Sequence, residues 1–430
     1  TAIAAERPLV TSDFTYDINR PFQNIEHETF KLSANFIRDH RGKFHFNLSR
    51  QFNRRQEFDA HKPGGITSTD LTPEMEFELT TWNSQLYWEH RLFKHLSGQL
   101  GIQGTWQVNT TDRGGLIPDY QSLASGIYLV ERWKKYPFPL EFEGALRFDW
   151  KQLDADFTNG DTFSRNFQNA SGSLGILYYT KNNWQFSGNF SSTWRQPNVS
   201  ELFSDGVHHG VAAVEFGDQN LNPETSLRTS IDVQYAPSKK LLLQLSLYSN
   251  YIRDFIYLNP QDRFELTIRG AFPVFAYEHT DANLSGLDFK SQFPVWKDFY
   301  GVADASVLRA KNIRDDNWLP LMPGDKYKLG IGYRFNQDKG FGKGQVETGF
   351  EHFLEQTRVP ENADFAPPPG AYTLWYASAS MEIPAGNNKL LLSIKGQNLG
   401  NIAYRNYLNR FRYFADDQGR NLILTIQYLF

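Results

Sequence analysis

The sequence predicts an all-β protein, a transmembrane antiparallel β-barrel, and three observations carry that prediction. The last ten residues alternate. Leu422, Leu424, Ile426, Tyr428 and Phe430 fall on one side, and Asn421, Thr425 and Gln427 on the other, with Ile423 and Leu429 as exceptions. A period of two is that of a β-strand. The connections between predicted strands alternate between long and short along the whole chain. Finally, aromatics reach 15%, with 35 Phe, 21 Tyr and 10 Trp, yet the mean hydropathy is −0.53. No apolar run is long enough for a membrane helix, whereas a membrane barrel uses aromatics in its lipid-facing band and its interfacial girdles.

Taken in order, strands 28–39 and 42–53 flank the short connection 40–41, and the long connection 54–74 leads to strand 75–91. The pattern continues through 92–94 (short), strand 95–109, 110–121 (long), strand 122–135, 136–137 (short), strand 138–151, 152–165 (long) and strand 166–180. Next come 181–182 (short, Lys-Asn), strand 183–195, 196–224 (long), strand 225–236, 237–239 (short, opening on Pro-Ser) and strand 240–257. In that strand Leu241, Leu243, Leu245 and Leu247 interleave with Leu242, Gln244, Ser246 and Tyr248. The long connection 258–282 leads to strand 283–294, then 295–297 (short), strand 298–310, 311–324 (long) and strand 325–336. Here Tyr327, Leu329, Ile331, Tyr333 and Phe335 interleave with Lys328, Gly330, Gly332 and Arg334, so one face suits lipid and the other water. The chain closes with 337–342 (short), strand 343–355, 356–371 (long), strand 372–383, 384–387 (short, Pro-Ala-Gly-Asn), strand 388–399, 400–419 (long) and strand 420–430. Short turns rich in turn-forming residues on one side and long loops on the other are the pattern of membrane barrels, with the long loops extracellular.

Seventeen strands is an odd number, and bacterial single-chain barrels have an even one. With Phe430 at the periplasmic end, the first and last strands both run inward, so an odd number of further strands must precede residue 28. Five make twenty-two. Residues 1–24 then read as the end of an extracellular loop, and residues 25–430 as the carboxy-terminal part of the barrel. Thr1 opens no signal peptide, as expected of a mature chain or a fragment.

The chain has no Cys and a net charge of −4. The charge offers nothing for nucleic acid, and the absence of Cys suits an exported protein without disulfides. No Gly-x-Ser-x-Gly, no His-Glu-x-x-His and no Cys nucleophile is present, so no catalytic constellation is expected.

Residues 194–226 contain Arg195, Pro197, Glu201 and Leu202, then Gly217, Asp218, Leu221, Pro223, Glu224 and Ser226. This resembles the Arg-x-Pro…Glu-Leu and Gly-(Asp/Asn)-x-x-Leu-x-Pro-Glu-x-Ser segments of TonB-dependent outer-membrane receptors. Asn398, Leu399 and Tyr404 are similar to the Asn-Leu-x-(Asp/Asn)-x-x-Tyr element near the end of these receptors, and Asn283 to Asp288 to their Gly-x-Glu strand opening. The aromatic terminus, Tyr428 and Phe430, resembles the signal read by the barrel-assembly machinery. The resemblance implies a twenty-two-stranded barrel in the bacterial outer membrane, surrounded by lipid and lipopolysaccharide. It also implies an amino-terminal plug that engages the TonB complex; the plug and five strands are not in this chain. Ser-Asp-Gly-Val-His-His-Gly, followed by Glu-Phe-Gly-Asp, looks most like the subset that takes up metals or metal chelates, siderophore, haem or zinc. The run at 269–275 looks like Bacteroidetes-type versions. No cofactor is required beyond a transported metal ion or chelate. The alternatives are a passive porin, a receptor for cobalamin or oligosaccharide, and an adhesive surface protein.

The candidate metal ligands are His208, His209, Asp205 and Glu215 in the 196–224 loop, with Asp218 nearby, and His279 beside Glu278 and Asp281. Imidazole with carboxylate suits zinc or iron, and His suits haem iron. The ordinary alternative is a solvated loop for the first group and a hydrogen-bonded His279 for the second. Phe411, Tyr413 and Phe414 beside Arg410 and Arg412 match a flat or catecholate ligand, or an aromatic girdle at the lipopolysaccharide interface. Arg195, Lys328, Arg334, Lys395 and Glu347 are assigned to the lumen face, as plug contacts or a plain wet wall.

Overall fold

The computed structural model describes residues 22–38, 42–58, 72–208, 211, 213–267, 270–337, 342–361, 364–386, 388–413 and 415–430. Its strands are β1 (Phe22–Arg38), β2 (Gly42–Phe58), β3 (Met75–Phe93), β4 (Leu96–Arg113), β5 (Asp119–Lys134), β6 (Leu140–Asp156), β7 (Thr162–Tyr179) and β8 (Trp184–Arg195). Then follow a short helix α1 (Val199–Phe203) and strands β9 (Asp205–His208), β10 (Ala213–Phe216), β11 (Glu224–Ser238), β12 (Leu241–Thr267), β13 (Gly270–Trp296) and β14 (Phe299–Asn312). The last are β15 (Asn317–Trp318), β16 (Lys326–Gln337), β17 (Gly342–Phe353), β18 (Tyr372–Ala385), β19 (Asn388–Gln397) and β20 (Asn421–Leu429).

All seventeen expected strands are present, and β9, β10 and β15 are additional short pieces in connections. The strands form one sheet in which each long strand pairs antiparallel with the next. Register makes the two faces explicit. On β16, Tyr327, Leu329, Ile331 and Tyr333 are exposed on the lipid face. On the opposite face Glu347 accepts hydrogen bonds from Tyr300 (3.1 Å), Tyr376 (3.0 Å) and Lys328 (3.2 Å), and Arg334 donates to Gln292 (2.6 Å). Gly332 is required there, because a Cβ would lie 2.2 Å from the Tyr300 ring.

Two expectations are corrected. Strands β12 and β13 run on for 27 residues each, paired as far as Thr267 and Gly270, so 258–282 is a hairpin arm and not a loop. At about 3.3 Å per residue each strand is several times longer than the roughly 25 Å apolar band of a membrane barrel, and the excess projects outward. Residues 110–121 and 152–165 are likewise largely strand. Pairing satisfies backbone groups that an irregular loop would leave to water. Second, Phe22 to Asn24 already belong to β1; residues 1–21, expected as loop, lie outside the described residues.

Among the described residues β1 pairs only with β2 and β20 only with β19. Both are exposed along nearly their whole length. Seventeen alternating long strands leave these edges running in the same direction, so they cannot join antiparallel.

Candidate functional site

The extracellular connections converge on a joint at the top of β8. Arg195 donates through Nε (3.0 Å) and Nη2 (2.7 Å) to the two oxygens of Glu224, its register partner on β11, and through Nη1 to Glu201 (2.7 Å). Glu201 also accepts from the backbone N–H of Asn198 (2.7 Å), closing the first turn of α1, and Glu224 accepts from the N–H of Ile256 on the arm (2.7 Å). Pro197 is fully buried, and Leu202, Phe203 and Leu221 pack against Leu153, Ala155, Phe167 and Ile256. Gly217 lies against α1, where a Cβ would come within 2.6 Å of the Leu202 carbonyl carbon. Asp218 accepts from the N–H of Asn220 (2.8 Å), turning the chain toward Pro223. The Arg195 group is thus a structural joint holding helix, hairpin and arm together.

From this joint β9 and β10 form a small hairpin, and β10 adds in parallel to the arm strand β13. His208 Nδ1 stands 3.3 Å from Glu215 Oε2, and Arg410 Nη2 donates to Glu215 Oε1 (3.1 Å) with its guanidinium over the Phe275 ring. Burial of Glu215 favours its neutral form. The His208 contact and the Arg410 charge outweigh it and hold the carboxyl below the usual range. Arg412 and Tyr413, both buried, bind Asp364. Burial pushes the Tyr413 phenol well above its ordinary range. Ala213, Phe275 and Tyr413 make a core with Val211, Leu258, Leu321, Phe365 and Ala366, so five connections share one interior.

The expected ligand residues are only partly brought together. His208 and Glu215 are in contact. Asp205 is exposed at the far end of β9, opposite Phe216 in register. His279 lies on the arm, its Nε2 3.7 Å from Asp254, in a network where Arg314 reaches Asp254 (3.1 Å) and Asp281 (3.0 Å). His209 lies outside the described residues, as does Phe414. Among the described residues no three His, Asp or Glu side chains converge as a metal site. Arg410 already neutralises Glu215, which disfavours a bare cation there. Among the described residues of the aromatic set, Tyr413 and Arg412 are interior packing and Phe411 is exposed. Sequence reading missed Arg410 as the partner of Glu215; 195 residues separate them, and no local pattern links them.

Elsewhere, Asn398 closes its loop by exchanging hydrogen bonds with the backbone of Ile402 (2.9 and 3.0 Å), Leu399 donates its N–H to the Trp375 carbonyl, and Tyr404 packs on Tyr372. Tyr428 accepts from Asn388 (2.6 Å) and lies beside Phe430.

Residues 5–399 match the family described as TonB dependent receptor-like, beta-barrel. The chain belongs to that family. It is one of receptors and transporters and implies an outer-membrane setting. Curated relatives include Heme/hemopexin utilization protein C of Haemophilus influenzae (strain ATCC 51907 / DSM 11121 / KW20 / Rd), 22% identical over 56% of this chain and 35% of that protein. Similar solved structures include the copper transporter OprC (TM-score 0.71, 13% identity, 94% of this chain and 65% of that one). Another is the FrpB iron transporter from Neisseria meningitidis (TM-score 0.69, 14% identity, 95% and 64%). The chain thus spans about a third of the curated relative and under two thirds of the solved chains.

Proposed function

We propose that this chain supplies the carboxy-terminal seventeen membrane strands and the capture loops of an outer-membrane receptor for a metal ion or, better, a metal chelate. The carrying observation is His208. Its Nδ1 faces the buried Glu215 carboxylate, and its Nε2 has no partner among the described residues. A carboxylate 3.3 Å from one imidazole nitrogen favours a ring that turns its other nitrogen outward as a ligand, and the adjacent Arg410 suits an anionic chelate better than a free cation. The relatives named for heme, iron and copper support the same class.

In this reading the loops capture the ligand and no covalent chemistry follows. The β1 and β20 edges, co-directional and each paired on one side only among the described residues, support a further part of the receptor with an odd number of strands, five giving twenty-two, and with a plug through which the TonB complex acts. Tyr428 and Phe430 serve the barrel-assembly machinery, and the exposed apolar faces meet lipid and lipopolysaccharide.

The test is titration of the receptor purified from outer membranes with haemin, followed by absorbance, and with Zn²⁺ and Cu²⁺, followed by calorimetry. One of these binds, and His208→Ala weakens it by about ten-fold or more. A silent His208→Ala overturns the site. Unassisted solute diffusion in liposomes, or binding of cobalamin or oligosaccharide alone, overturns the metal reading.

A further inference from the structure

The outer wall near β20 carries a groove that the receptor reading does not use. Ala377, Ala379, Thr348 and Gly396 form its floor. They are neighbours by register: Val346 opposite Ala379, Thr348 opposite Ala377, and Ala377 opposite Gly396. Ile331 and Tyr333 stand on one side, Ile394, Leu422 and Leu399 on the other, enclosing a cavity of about 430 Å³. The Trp375 indole donates to Thr348 Oγ1 (2.8 Å) and folds toward the floor. All these strand positions share the parity of the exposed Leu329, Ile331 and Leu424, so the groove opens to lipid. At its extracellular end Arg420 donates through Nε to the Leu399 carbonyl (3.0 Å). Its guanidinium is exposed and has no ion-pair partner among the described residues.

We infer that this groove binds one phosphorylated lipid of the outer leaflet, an acyl chain lying over Ala377 and Ala379 and the phosphate meeting Arg420. An apolar trough on a lipid-facing wall offers an acyl chain more contact than the flat sheet beside it. A guanidinium anchored by one nitrogen keeps its other donors for a phosphate. The inference rests on the membrane reading, not on the cargo.

Fractionation first establishes that the protein is in the outer membrane; its absence there sinks the membrane reading itself. The protein is then extracted in mild detergent, and native mass spectrometry measures retention of two probes, dioleoyl phosphatidic acid and uncharged dioleoylglycerol. One phosphatidic acid per chain is expected, favoured about ten-fold over dioleoylglycerol. Ala379→Leu fills the floor and lowers retention of both probes about ten-fold. Arg420→Gln abolishes the preference for phosphate and keeps the acyl contribution. Ala305→Leu, on the lipid face of β14 outside the groove, leaves retention unchanged. Ala377→Val replaces Ala379→Leu if the latter does not assemble. Equal retention by wild type and the filled-groove variant, or equal loss in Ala305→Leu, means ordinary annular lipid and overturns the site.

Discussion

The membrane wall and the extracellular assembly are built on opposite plans. In the wall each residue's surroundings follow from parity and register. Ile331 faces lipid because it is odd on β16, and Gly332 faces the lumen because it is even, opposite Tyr300 and Glu347. In the extracellular assembly neither parity nor neighbourhood decides. Arg410 meets Glu215 across 195 residues and Arg412 meets Asp364 across 48. The wall is stabilised by many small, repeated terms: ladder hydrogen bonds, lipid contact and cross-strand pairs. The assembly depends on a few enclosed charge pairs, where removing one partner strands the other. Perturbations should therefore stay local in the wall and spread in the loops.

The sharpest test of that contrast is Glu224→Ala. It leaves Arg195 half-paired and removes the acceptor of the Ile256 N–H. The expected local cost is about 3–5 kcal/mol. Hydrogen exchange at Ile256 and through β9–β10 should accelerate by a hundred-fold or more, on the order of ten-fold per 1.4 kcal/mol, while β16 and β17 keep their protection. Uniform acceleration across the chain would erase the distinction between the two regions.

Within the wall, Ile331→Arg places a charge in the lipid band and should cost about 2–4 kcal/mol in urea unfolding from vesicles. Gln244→Arg, on the lumen face, should cost well under half of that. Equal costs would mean that the two faces are not what register says.

Arg410→Met tests a single long-range contact. It leaves Glu215 with His208 alone and should loosen the β9–β10 hairpin by about 1–3 kcal/mol, read as faster protease cleavage between β8 and β11.

The smallest effect is pH-dependent. The Glu215 carboxyl has a depressed pKa in the folded chain. Its stabilising contribution is therefore complete above the unfolded value, about 4.3, and is lost as pH falls through the lower folded value. Cleavage of the hairpin should rise below about pH 4, and Arg410→Met should move that rise to higher pH. A cleavage rate flat from pH 7 to pH 3 would remove Glu215 as the centre of the hairpin.

Strand positions were legible because a half-buried strand writes a period of two into side chains only one residue apart. Leu390, Leu392 and Ile394 announce β19 without reference to anything distant. The arm was misread as a loop because Pro260 and Asp262 interrupt that period. The structure absorbs them in irregularities between Ile252 and Phe255 and between Pro260 and Phe264, with Asp254 (φ 55°) and Asp262 (φ 45°) in left-handed conformation. An Asp tolerates that geometry, so no glycine flags the bend. The resemblance located Arg195, Glu201 and Glu224, yet only the fold shows that they form one joint.

The sequence by itself determined what depends on near neighbours: the seventeen long strands, their alternating faces, the odd count that leaves two parallel edges, and the family motifs. Only the tertiary structure decided that Glu215 belongs to Arg410 as well as His208, that His279 belongs to the Asp254–Arg314 network, and that Tyr413 and Arg412 are interior. Strand identity is a local property of alternating side chains, whereas a charged residue's partner is chosen by how distant connections pack over the barrel mouth. No spacing in the chain encodes that choice.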